Sequence, residues 1–493
     1  MLSKYLKLIT GETSKLPEVS ASVSAEIAHA EQSLAALPPV VASELGNHEA
    51  IESQQIDTLG AAAEGVVSSV MEIDTHGKKN SAHELRQRIL GRFPVLDRSQ
   101  NIFGYELVLR NKSVRQARKP DDALLRMQDE MLMNGLISLE MDKLTGDKLV
   151  FISLSSAGLD SPLLEDLPRA GVVLIVKVVP EKAEEQLLRL KALVAAGFGI
   201  ALDDFVYAPV LAPFLRLAKF VRIDVSQLDA IEMRSRLKSL MDKFAPQLLA
   251  GHVEFDDTFE ACRNLSFNYF QGYYFTRLQP DKPPRLGSDR MRVIELLNLA
   301  TRHAAISQLE NIFKLDATLS YKLLRYINSP GCGIVQKTRS IAHALVILGH
   351  DQLYRWLTLL LFSSDKSDGR SLALLKNALV RARLVEMLGQ RRLAPAECEG
   401  LFIVGIFSLL DALLNLPMNK AVAYLNLPEP VLQALVDRKG VYAPFLLLAE
   451  ACEEGDQDRV DEYAAMCELD ADGVNLLHLQ AMIWAEEIDR QRT

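Results

Sequence analysis

The spacing of apolar residues changes twice along the chain and divides it into three regions. Residues 1–85 are rich in Ala, Ser and Glu and contain neither Phe nor Trp. Such a segment buries too little apolar surface to offset the entropy lost on ordering. We therefore expect an N-terminal extension that is poorly ordered or partly helical, with helical stretches at 19–37 and 43–71. The alternative is a helical docking arm for a partner or for a second copy of the chain.

Residues 86–280 alternate between short, nearly all-apolar runs and runs of helical period. This alternation is typical of a parallel sheet whose faces are both covered by helices. So many units predict an α/β domain closed into a TIM-like (β/α) barrel, with its chemistry at the carboxyl ends of the strands. The predicted strands are 89–95, 102–110, 149–154, 172–178, 199–202, 220–223 and 248–253. The predicted helices are 121–133, 180–196, 210–217 and 227–244.

From residue 281 to residue 493 the apolar positions recur at helical spacing, which predicts an all-helical domain. The prolines at 280, 283 and 284 interrupt both helix and strand, so the segment 278–284 is a predicted domain boundary. The predicted helices are 293–303, 304–313, 317–327, 340–348 and 353–362. We expect one or two further, peripheral helices between residues 456 and 490.

Bulk composition excludes several classes of protein. The net charge of -9 argues against a general nucleic-acid binder, because that affinity rests on basic residues facing phosphates. The five cysteines are scattered and suggest neither a zinc site nor a disulfide framework, which favours a cytoplasmic protein. No apolar run reaches about 18 residues, so we expect no transmembrane helix.

Acidic residues cluster at the predicted strand ends. Asp203 and Asp204 close the run 199–205, and Glu106 and Glu254 stand near the ends of two other strands. Adjacent carboxylates can hold a divalent cation that activates water and clamps phosphate oxygens. Taken alone, this pattern predicts a metal-dependent phosphodiesterase.

Six motifs in order make the middle region resemble the EAL family, barrel-fold phosphodiesterases that act on cyclic di-GMP. They are Tyr105-Glu106-Leu107-Val108-Leu109-Arg110, Val150-Phe151-Ile152-Ser153-Leu154-Ser155, Ala201-Leu202-Asp203-Asp204-Phe205, Val221-Arg222-Ile223-Asp224, Gly251-His252-Val253-Glu254 and Gln271-Gly272-Tyr273-Tyr274-Phe275. The C-terminal region resembles the HDOD domain, a helical output module, through residues 316–330 and 340–349. The pairing of the two resembles a recognised bacterial signalling architecture.

The EAL resemblance implies a site that holds two divalent cations through acidic residues, one Asn and an assisting Lys. Several residues of this chain match that site. They are Glu106, Arg110, Asp203, Asp204, Glu254 and Gln271.

Other positions depart from the family pattern. Ser153 stands in place of the metal-binding Asn, and Arg222 in place of the Lys. The strand at 172–179 has no acid and carries Lys177, which would place a cation where a metal is expected. Gly251 replaces a Glu, and Val206 replaces a Gly whose loop would need positive φ. We therefore predict a degenerate site that binds no metal and has no catalytic residue.

The helical domain also departs from the catalytic pattern of its relatives. HD hydrolases bind metal through an adjacent His-Asp pair, and Ser408-Leu409 stand at the equivalent place here. His303, His343 and His350 are isolated in the sequence, and we interpret them as core or surface residues rather than ligands.

These observations predict a non-catalytic signalling protein that acts through protein–protein interaction and needs no cofactor. The barrel would be a receptor or scaffold, the HDOD domain the output module, and the partners other signalling proteins. The surviving acids would pair with Arg110, Lys177 and Arg222, and the chain could form a homo-oligomer. The alternative is a weakly active phosphodiesterase using Mg²⁺ or Mn²⁺, or a barrel that binds cyclic di-GMP without metal. Regulation of nucleic acid has little support, because no basic stripe is present.

Overall fold

A computed structural model describes most of the chain from Leu90 onward. The described residues are 90–109, 121–138, 141–226, 230–241, 244, 246–328, 338–363, 368–398 and 400–490. The predicted N-terminal extension and the candidate Arg110 lie outside them.

Eight strands close into a barrel in sequence order, which confirms the predicted (β/α) barrel. The first strand runs antiparallel to both of its neighbours, and the other neighbouring strands run parallel. The strands are β1 (Leu90–Asp97), β2 (Ile102–Leu109), β3 (Leu149–Leu154), β4 (Val172–Lys177), β5 (Gly199–Asp203), β6 (Phe220–Asp224), β7 (Gln247–Gly251) and β8 (Tyr269–Gln271).

Helices connect most of the parallel strands and cover the outside of the barrel. They are α1 (Asp122–Ser138), α2 (Met141–Thr145), α3 (Ala183–Ala196), α4 (Ala212–Leu217), α5 (Ala230–Met241) and α6 (Asp256–Asn264). The sequence analysis missed α2, α6 and β8. Strand β8 is three residues long, and α6 buries only Phe259 and Cys262, so neither shows a usable period.

Alternate residues of the strands fill the barrel interior. Since successive strand side chains point to opposite faces, every second residue contributes to this inner core. The ring of Phe220 packs edge-on against Phe103, Phe151 and Tyr269. The inner core comprises Val95, Phe151, Val173, Ile175, Ala201, Phe220 and Leu249. It closes the barrel below its mouth, so the polar residues that follow on these strands line a shallow site.

After the barrel, the described chain is helical, as predicted. The helices are α7 (Ser288–Thr301), α8 (Ile306–Lys314), α9 (Ala317–Ile327), α10 (Ile341–Phe362), α11 (Gly369–Gln390), α12 (Leu401–Phe407), α13 (Leu410–Leu414), α14 (Met418–Ala421), α15 (Glu429–Leu432), α16 (Ala443–Glu454), α17 (Gln457–Met466) and α18 (Ala471–Arg490). The two predicted helices at 340–348 and 353–362 form α10, which is bent at Gly349, where φ is 67°.

No single helix within the described ranges is long and apolar enough to cross a membrane. One bent pair, Leu401–Leu414 and Met418–Tyr424, meets the length and composition criteria together, with an angle of 101° between its parts.

The outer face of the β1–β2 hairpin is covered by the helical region. The antiparallel hairpin has no helix between its strands, so its outer face must be buried by another part of the chain. Helix α11 begins against the hairpin turn, where a Cβ on Gly369 would lie 2.4 Å from the carbonyl oxygen of Ser99. Further along, Arg92 of β1 and Lys376 of α11 both form ion pairs with Glu486 of α18, at 2.7 and 2.8 Å. The barrel and the helices therefore share one apolar core.

The prediction of peripheral helices near the C-terminus was wrong in one respect. Two helices are present, α17 and α18, but α18 is not peripheral. Val474, Ala481 and Ala485 are fully buried, and Asn475 accepts a hydrogen bond from the Leu90 amide at the start of β1. The last helix is part of the cover that the hairpin requires, a role that helical period alone does not reveal.

The segment predicted as a linker is held by Asn415. The Asn415 side-chain amide donates to the carbonyl oxygens of Gln279, Lys282 and Pro283, and its Oδ1 accepts from the Gln279 amide. Asn415 itself has a φ of 53°, a left-handed conformation that Asn tolerates better than most residues. The predicted boundary is therefore fixed by polar contacts to the helical region.

Arg370 of α11 joins the two regions from a buried position. Its guanidinium donates to the carbonyl oxygens of Phe275, Arg277 and Ala412, so it contacts both the end of the barrel and α13. Burial, reinforced by the nearby charge of Arg285, lowers the pKa of Arg370 to about 10. The side chain therefore remains charged at neutral pH, where charge strengthens its hydrogen bonds.

We predict that Arg370→Met destabilises the protein by about 3 kcal/mol or more, because three buried carbonyl oxygens lose their donor. Urea unfolding followed by circular dichroism would measure the loss. Arg216→Met is the matched control, since Arg216 is an exposed arginine on α4. Equal unfolding midpoints for the two variants would contradict the junction role of Arg370.

Candidate functional site

The carboxyl ends of five strands bring predicted site residues together at the barrel mouth. Glu106 comes from β2, Ser153 from β3, Asp203 from β5, Arg222 from β6 and Gln271 from β8. Because residues two apart on a strand share a face, Ser153, Asp203 and Arg222 lie above the inner-core residues of their strands. The sequence prediction that these positions converge is therefore consistent with the barrel.

Arg222 bridges two carboxylates at the centre of this group. Its Nη1 lies 3.0 and 3.1 Å from the two carboxylate oxygens of Glu106, and its Nε lies 2.7 Å from Oδ1 of Asp203. The side chains of Arg222 and Glu106 are 13% and 6% exposed. A planar guanidinium can serve two acceptors in fixed directions, which the point charge of Lys cannot do in the same way.

The charge state of Arg222 is set by its neighbours. Burial alone would lower the pKa of Arg222, but the charges of Glu106 and Asp203 outweigh that effect and raise the pKa above its ordinary value. The guanidinium is therefore a permanent cation in the mouth of the barrel.

Glu106 accepts hydrogen bonds from three different side chains. Ser153 Oγ donates to its Oε1 at 2.6 Å, Arg222 donates to both oxygens, and the Gln271 amide donates to Oε2. These donors occupy oxygen lone pairs of the carboxylate through which it would otherwise bind a metal ion. Ser153 thus supports Glu106 rather than standing beside it as a further ligand.

The residues at the mouth do not fit the pair of divalent cations that the EAL resemblance implies. In the part of the chain that the structure describes, no group of three or more His, Cys, Asp or Glu side chains could hold a metal ion. The acids Glu106 and Asp203 are joined by a guanidinium instead. Lys177 ends β4 on the inward face, opposite Asp203 in the strand register, and adds a second positive charge.

The remaining acids at the mouth pair with arginine or histidine side chains that the sequence analysis did not identify. Asp204 lies 2.8 Å from Arg236 of α5, and Glu254 lies 2.9 Å from Arg277, which follows β8. Asp224 faces Nδ1 of His252 at 3.2 Å. Of the three basic residues predicted to pair with the acids, Arg222 does so. Lys177 forms no ion pair with another described residue, and Arg110 lies outside the described residues. Spacing along the sequence does not predict the contacts of Arg236 and Arg277. They depend on which face of α5 turns toward the mouth and on the path of the chain after β8.

Two non-glycine residues at the mouth have left-handed backbone conformations. Asp204 has a φ of 44° and His252 a φ of 58°, in a region that few side chains adopt. Positive φ was expected at the position of Val206, but the backbone reversal occurs at Asp204 instead. Sparsely populated conformations of this kind are concentrated at binding and catalytic sites.

Asp129 is a half-buried acid next to the mouth that the sequence analysis missed. It lies on α1 and accepts hydrogen bonds from the amide, at 2.9 Å, and from the hydroxyl of Ser155, which directly follows β3. Gly158 leaves room for the carboxylate, since a Cβ there would lie 2.1 Å from Oδ2. Burial raises the pKa of Asp129 to about 6, although the hydrogen bonds from Ser155 oppose that shift.

In the helical region, the position predicted to replace His-Asp holds a buried ion pair. Ser408 Oγ accepts a hydrogen bond from Nη1 of Arg381 at 2.9 Å and donates to the Gly405 carbonyl oxygen. Arg381 also forms two hydrogen bonds with the carboxylate of Glu453, at 2.9 and 2.7 Å. Glu450 lies 3.2 Å from the same guanidinium. An arginine and its carboxylates therefore occupy this place.

The histidines that are separate in the sequence are not all separate in the fold. The rings of His303 and His350 pack edge-on with centroids 5.1 Å apart, and Nε2 of His350 lies 2.9 Å from the Ala304 carbonyl oxygen. Two histidines without a third ligand do not make a metal site.

Comparison with known proteins identifies part of this chain. Residues 284–414 match the family model of the HDOD domain. This segment is an HDOD domain. The match includes Arg381 and Ser408, which belong to the buried ion-pair group described above. Glu453 and the helices after α13 lie beyond the match.

Two curated relatives align with most of the chain. The cyclic di-GMP phosphodiesterase CdgJ of Vibrio cholerae serotype O1 is 28% identical over 406 residues, which cover 81% of this chain and 93% of the relative. The uncharacterized protein YuxH of Bacillus subtilis is 27% identical over 411 residues, covering 81% of this chain and 98% of that protein. Both therefore extend over the barrel as well as the HDOD domain.

Solved EAL structures are similar to part of the chain. An EAL domain protein from Listeria monocytogenes is 18% identical, covers 41% of this chain and 94% of its own, and has a TM-score of 0.32. A standalone EAL protein from Vibrio cholerae, in its cyclic di-GMP-bound form, is 20% identical, covers 38% and 91%, and has a TM-score of 0.31.

We predict that Arg222→Met destabilises the protein by about 3–5 kcal/mol, because Glu106 and Asp203 lose the cation between them while they remain partly buried. Urea unfolding at pH 7 would measure the loss. Arg222→Lys is the control: it keeps the charge but not the two-sided geometry, so a smaller loss is expected. Unfolding of Arg222→Met at the wild-type midpoint would contradict this account of the site.

We predict that Asp129→Asn removes a pH dependence of stability. Because the folded pKa of Asp129 is about 6 and the unfolded value is about 3.9, the unfolded state ionises first as pH rises. The wild type therefore loses about 2–3 kcal/mol of unfolding free energy between about pH 4 and pH 6, and the loss persists at higher pH.

The Asn variant keeps an acceptor for both Ser155 hydrogen bonds but cannot ionise. Urea midpoints measured from pH 4 to pH 8 should thus diverge, with the variant more stable above pH 6. Parallel curves for wild type and variant would refute the assignment.

Proposed function

We propose that this chain is a non-catalytic protein of cyclic di-GMP signalling. In this proposal the barrel is a receptor or scaffold, and the HDOD domain is the output module that contacts other signalling proteins. The relative CdgJ, named a cyclic di-GMP phosphodiesterase, supports the signalling context because it aligns over 93% of its length. The four free cysteines among the described residues fit a reducing cytoplasm, which we propose as the location.

The observation that carries the proposal is the position of Arg222. In-line attack on a phosphodiester by metal-activated water requires carboxylates that are free to bind the metal. Here Nη1 and Nε of Arg222 lie within 3.1 Å of Glu106 and Asp203. A cation entering this space would meet a permanent positive charge and would have to displace a partly buried ion pair, both of which oppose binding.

The electrostatics of the outer mouth support the same conclusion. Asp204 and Glu254 each have an arginine within 2.9 Å, so their charges are already balanced. A site built to attract metal would keep uncompensated carboxylates facing one another. These two half-exposed ion pairs at the rim, together with the Arg222 bridge, support the proposal that the acids of the mouth pair with arginines.

A second candidate function is metal-free binding of cyclic di-GMP. It is favoured by Lys177, which is exposed on the inward face at the end of β4 and makes no ion pair with another described residue. An ammonium in this place could contact a phosphate without help from metal. The surrounding carboxylates oppose this candidate, because they would repel an anionic ligand.

We predict that the purified full-length chain does not convert cyclic di-GMP to the linear dinucleotide with Mg²⁺ or Mn²⁺. Product formation, followed by chromatography, should not exceed that of Glu106→Ala. CdgJ assayed in the same way is the positive control. Product above the Glu106→Ala background would overturn the proposal that the barrel is non-catalytic.

Titration calorimetry distinguishes the two non-catalytic candidates. Heat of binding for cyclic di-GMP without Mg²⁺, lost in Lys177→Gln, would favour a nucleotide receptor. Absence of binding heat with and without Mg²⁺ would favour a scaffold whose inputs are proteins. Arg216→Gln is the charge-matched control for Lys177→Gln, since it removes an exposed cation on helix α4, outside the strand-end residues of the mouth.

A further inference from the structure

The end of β8 connects the barrel mouth to the helical region. Gln271, which is 8% exposed, donates to the carboxylate of Glu106. Two residues further on, the hydroxyl of Tyr273 donates to the backbone carbonyl oxygen of Glu453 in α16. A three-residue segment thus contacts the site at one end and a helix outside the barrel at the other.

The backbone between these two contacts has little freedom. Gly272 has a φ of 150°, and a Cβ there would lie 2.0 Å from the carbonyl oxygen of Val253. Two backbone hydrogen bonds hold both sides of the glycine. The Val253 amide donates to the Gln271 carbonyl oxygen at 2.9 Å, and the Tyr274 amide donates to the Val253 carbonyl oxygen at 3.2 Å. A displacement of Gln271 is therefore passed along the chain rather than absorbed at Gly272.

A second contact ties Tyr273 to the strand that carries Glu106. The ring of Tyr273 packs edge-on against Phe93, with centroids 5.7 Å apart. Phe93 lies opposite Glu106 in the register of β1 and β2. Tyr273 is thus linked to Glu106 both through β8 and through the hairpin.

The receiving end of the contact is the buried ion pair between Glu453 of α16 and Arg381 of the HDOD domain. Glu453 supplies the carbonyl oxygen to Tyr273 and the carboxylate to Arg381, and Arg381 contacts Ser408. The helices at this point are in close contact, since a Cβ on Gly405 would lie 2.3 Å from the Cα of Ala382. Tightly packed interfaces of this kind shift between discrete arrangements rather than deforming gradually.

We propose that Tyr273 is a positioning residue that transmits the state of the barrel mouth to the HDOD domain through Glu453 and Arg381. A ligand or partner that disturbs the Glu106 cluster shifts Gln271 and the rigid turn after it. The Tyr273 hydroxyl then moves relative to α16, and the ion pair at Ser408 loosens. Coupling of this type requires only that a perturbation of the mouth changes the free-energy difference between two arrangements of the helices around Arg381.

This inference rests on the proposed division into a sensing barrel and a responding HDOD domain. Its test uses no nucleotide, so failure of the test leaves the proposal on catalysis untouched, and turnover of cyclic di-GMP would leave the coupling untouched. The perturbation is Glu106→Gln. An amide there removes the negative charge that pairs with Arg222 and replaces one acceptor oxygen with an N–H₂ donor, so Ser153, Arg222 or Gln271 must change its hydrogen bond or its position.

The measurement is hydrogen–deuterium exchange of the full-length chain at peptides covering 401–410 and 443–454. We expect Glu106→Gln to accelerate exchange there by about threefold or more, because residues in one network are coupled by that order of free energy. In a Tyr273→Phe background the acceleration should disappear. In a Tyr274→Phe background it should persist, since the buried Tyr274 hydroxyl makes no hydrogen bond with a described residue.

Two outcomes would overturn the proposal. One is an acceleration of equal size in the Tyr273→Phe and Tyr274→Phe backgrounds, which would show that the hydroxyl carries no coupling. The other is unchanged exchange at both peptides when Glu106→Gln is made in the wild type. If Glu106→Gln does not fold, Asp203→Asn serves as the perturbation, because it weakens the same Arg222 bridge with the same expected outcomes.

Discussion

The guanidinium of Arg222 holds Glu106 and Asp203 together at the carboxyl ends of three strands, and the arrangement of the barrel mouth depends on it. Two carboxylates this close to the barrel axis repel each other unless a cation lies between them. Arginine suits the place because its Nε and Nη1 point at different acceptors from one rigid plane. Ser153 and Gln271 then complete the hydrogen bonding of Glu106. The mouth is therefore a connected polar network, in which each group depends on the others for its orientation.

A second constraint comes from the antiparallel hairpin at the start of the barrel. Strands β1 and β2 are joined without a helix, so their outer face is buried by α11 and α18 from the far end of the chain. Charged groups buried in this contact, Arg92, Lys376 and Glu486, are expensive to leave unpaired, which makes the contact specific as well as apolar. The barrel and the HDOD domain are consequently not two bodies on a loose linker.

An arginine that pairs with carboxylates recurs at two places in the structure. Arg222 bridges carboxylates in the barrel, and Arg381 of the HDOD domain pairs with Glu453 of α16 beside Ser408. In both cases the pKa of the arginine is raised, because neighbouring carboxylates outweigh the effect of burial. A fixed organic cation keeps the geometry of an acidic cluster without the exchange and Lewis acidity of a metal ion. Such clusters can serve as structural and signalling elements.

The sequence by itself determined the barrel, the helical region and the set of strand-end residues at the mouth. Strands such as β3 and helices such as α9 were placed without error, because their apolar periods are long and uninterrupted. Barrel closure predicted that Glu106, Ser153 and Asp203 converge, since parallel strands end on one face, whereas Arg222 and Gln271 were identified through the family resemblance. The three-residue strand β8 and the largely polar helix α6 were missed, because a period cannot be read from so few apolar positions.

Only the tertiary structure decided which side chains pair with the acids of the mouth and where the two regions meet. The acids at the rim contact Arg236, Arg277 and His252. These contacts depend on the orientation of a helix and on the paths of loops, and local spacing along the sequence encodes neither. The burial of α18 against β1 depends on an uncovered hairpin almost 400 residues earlier in the chain, a distance fixed by the fold and not by any motif. Periodicity specifies which face of an element is apolar. Which partner that face meets is decided by the packing of the whole chain, because burial is a property of neighbours in space.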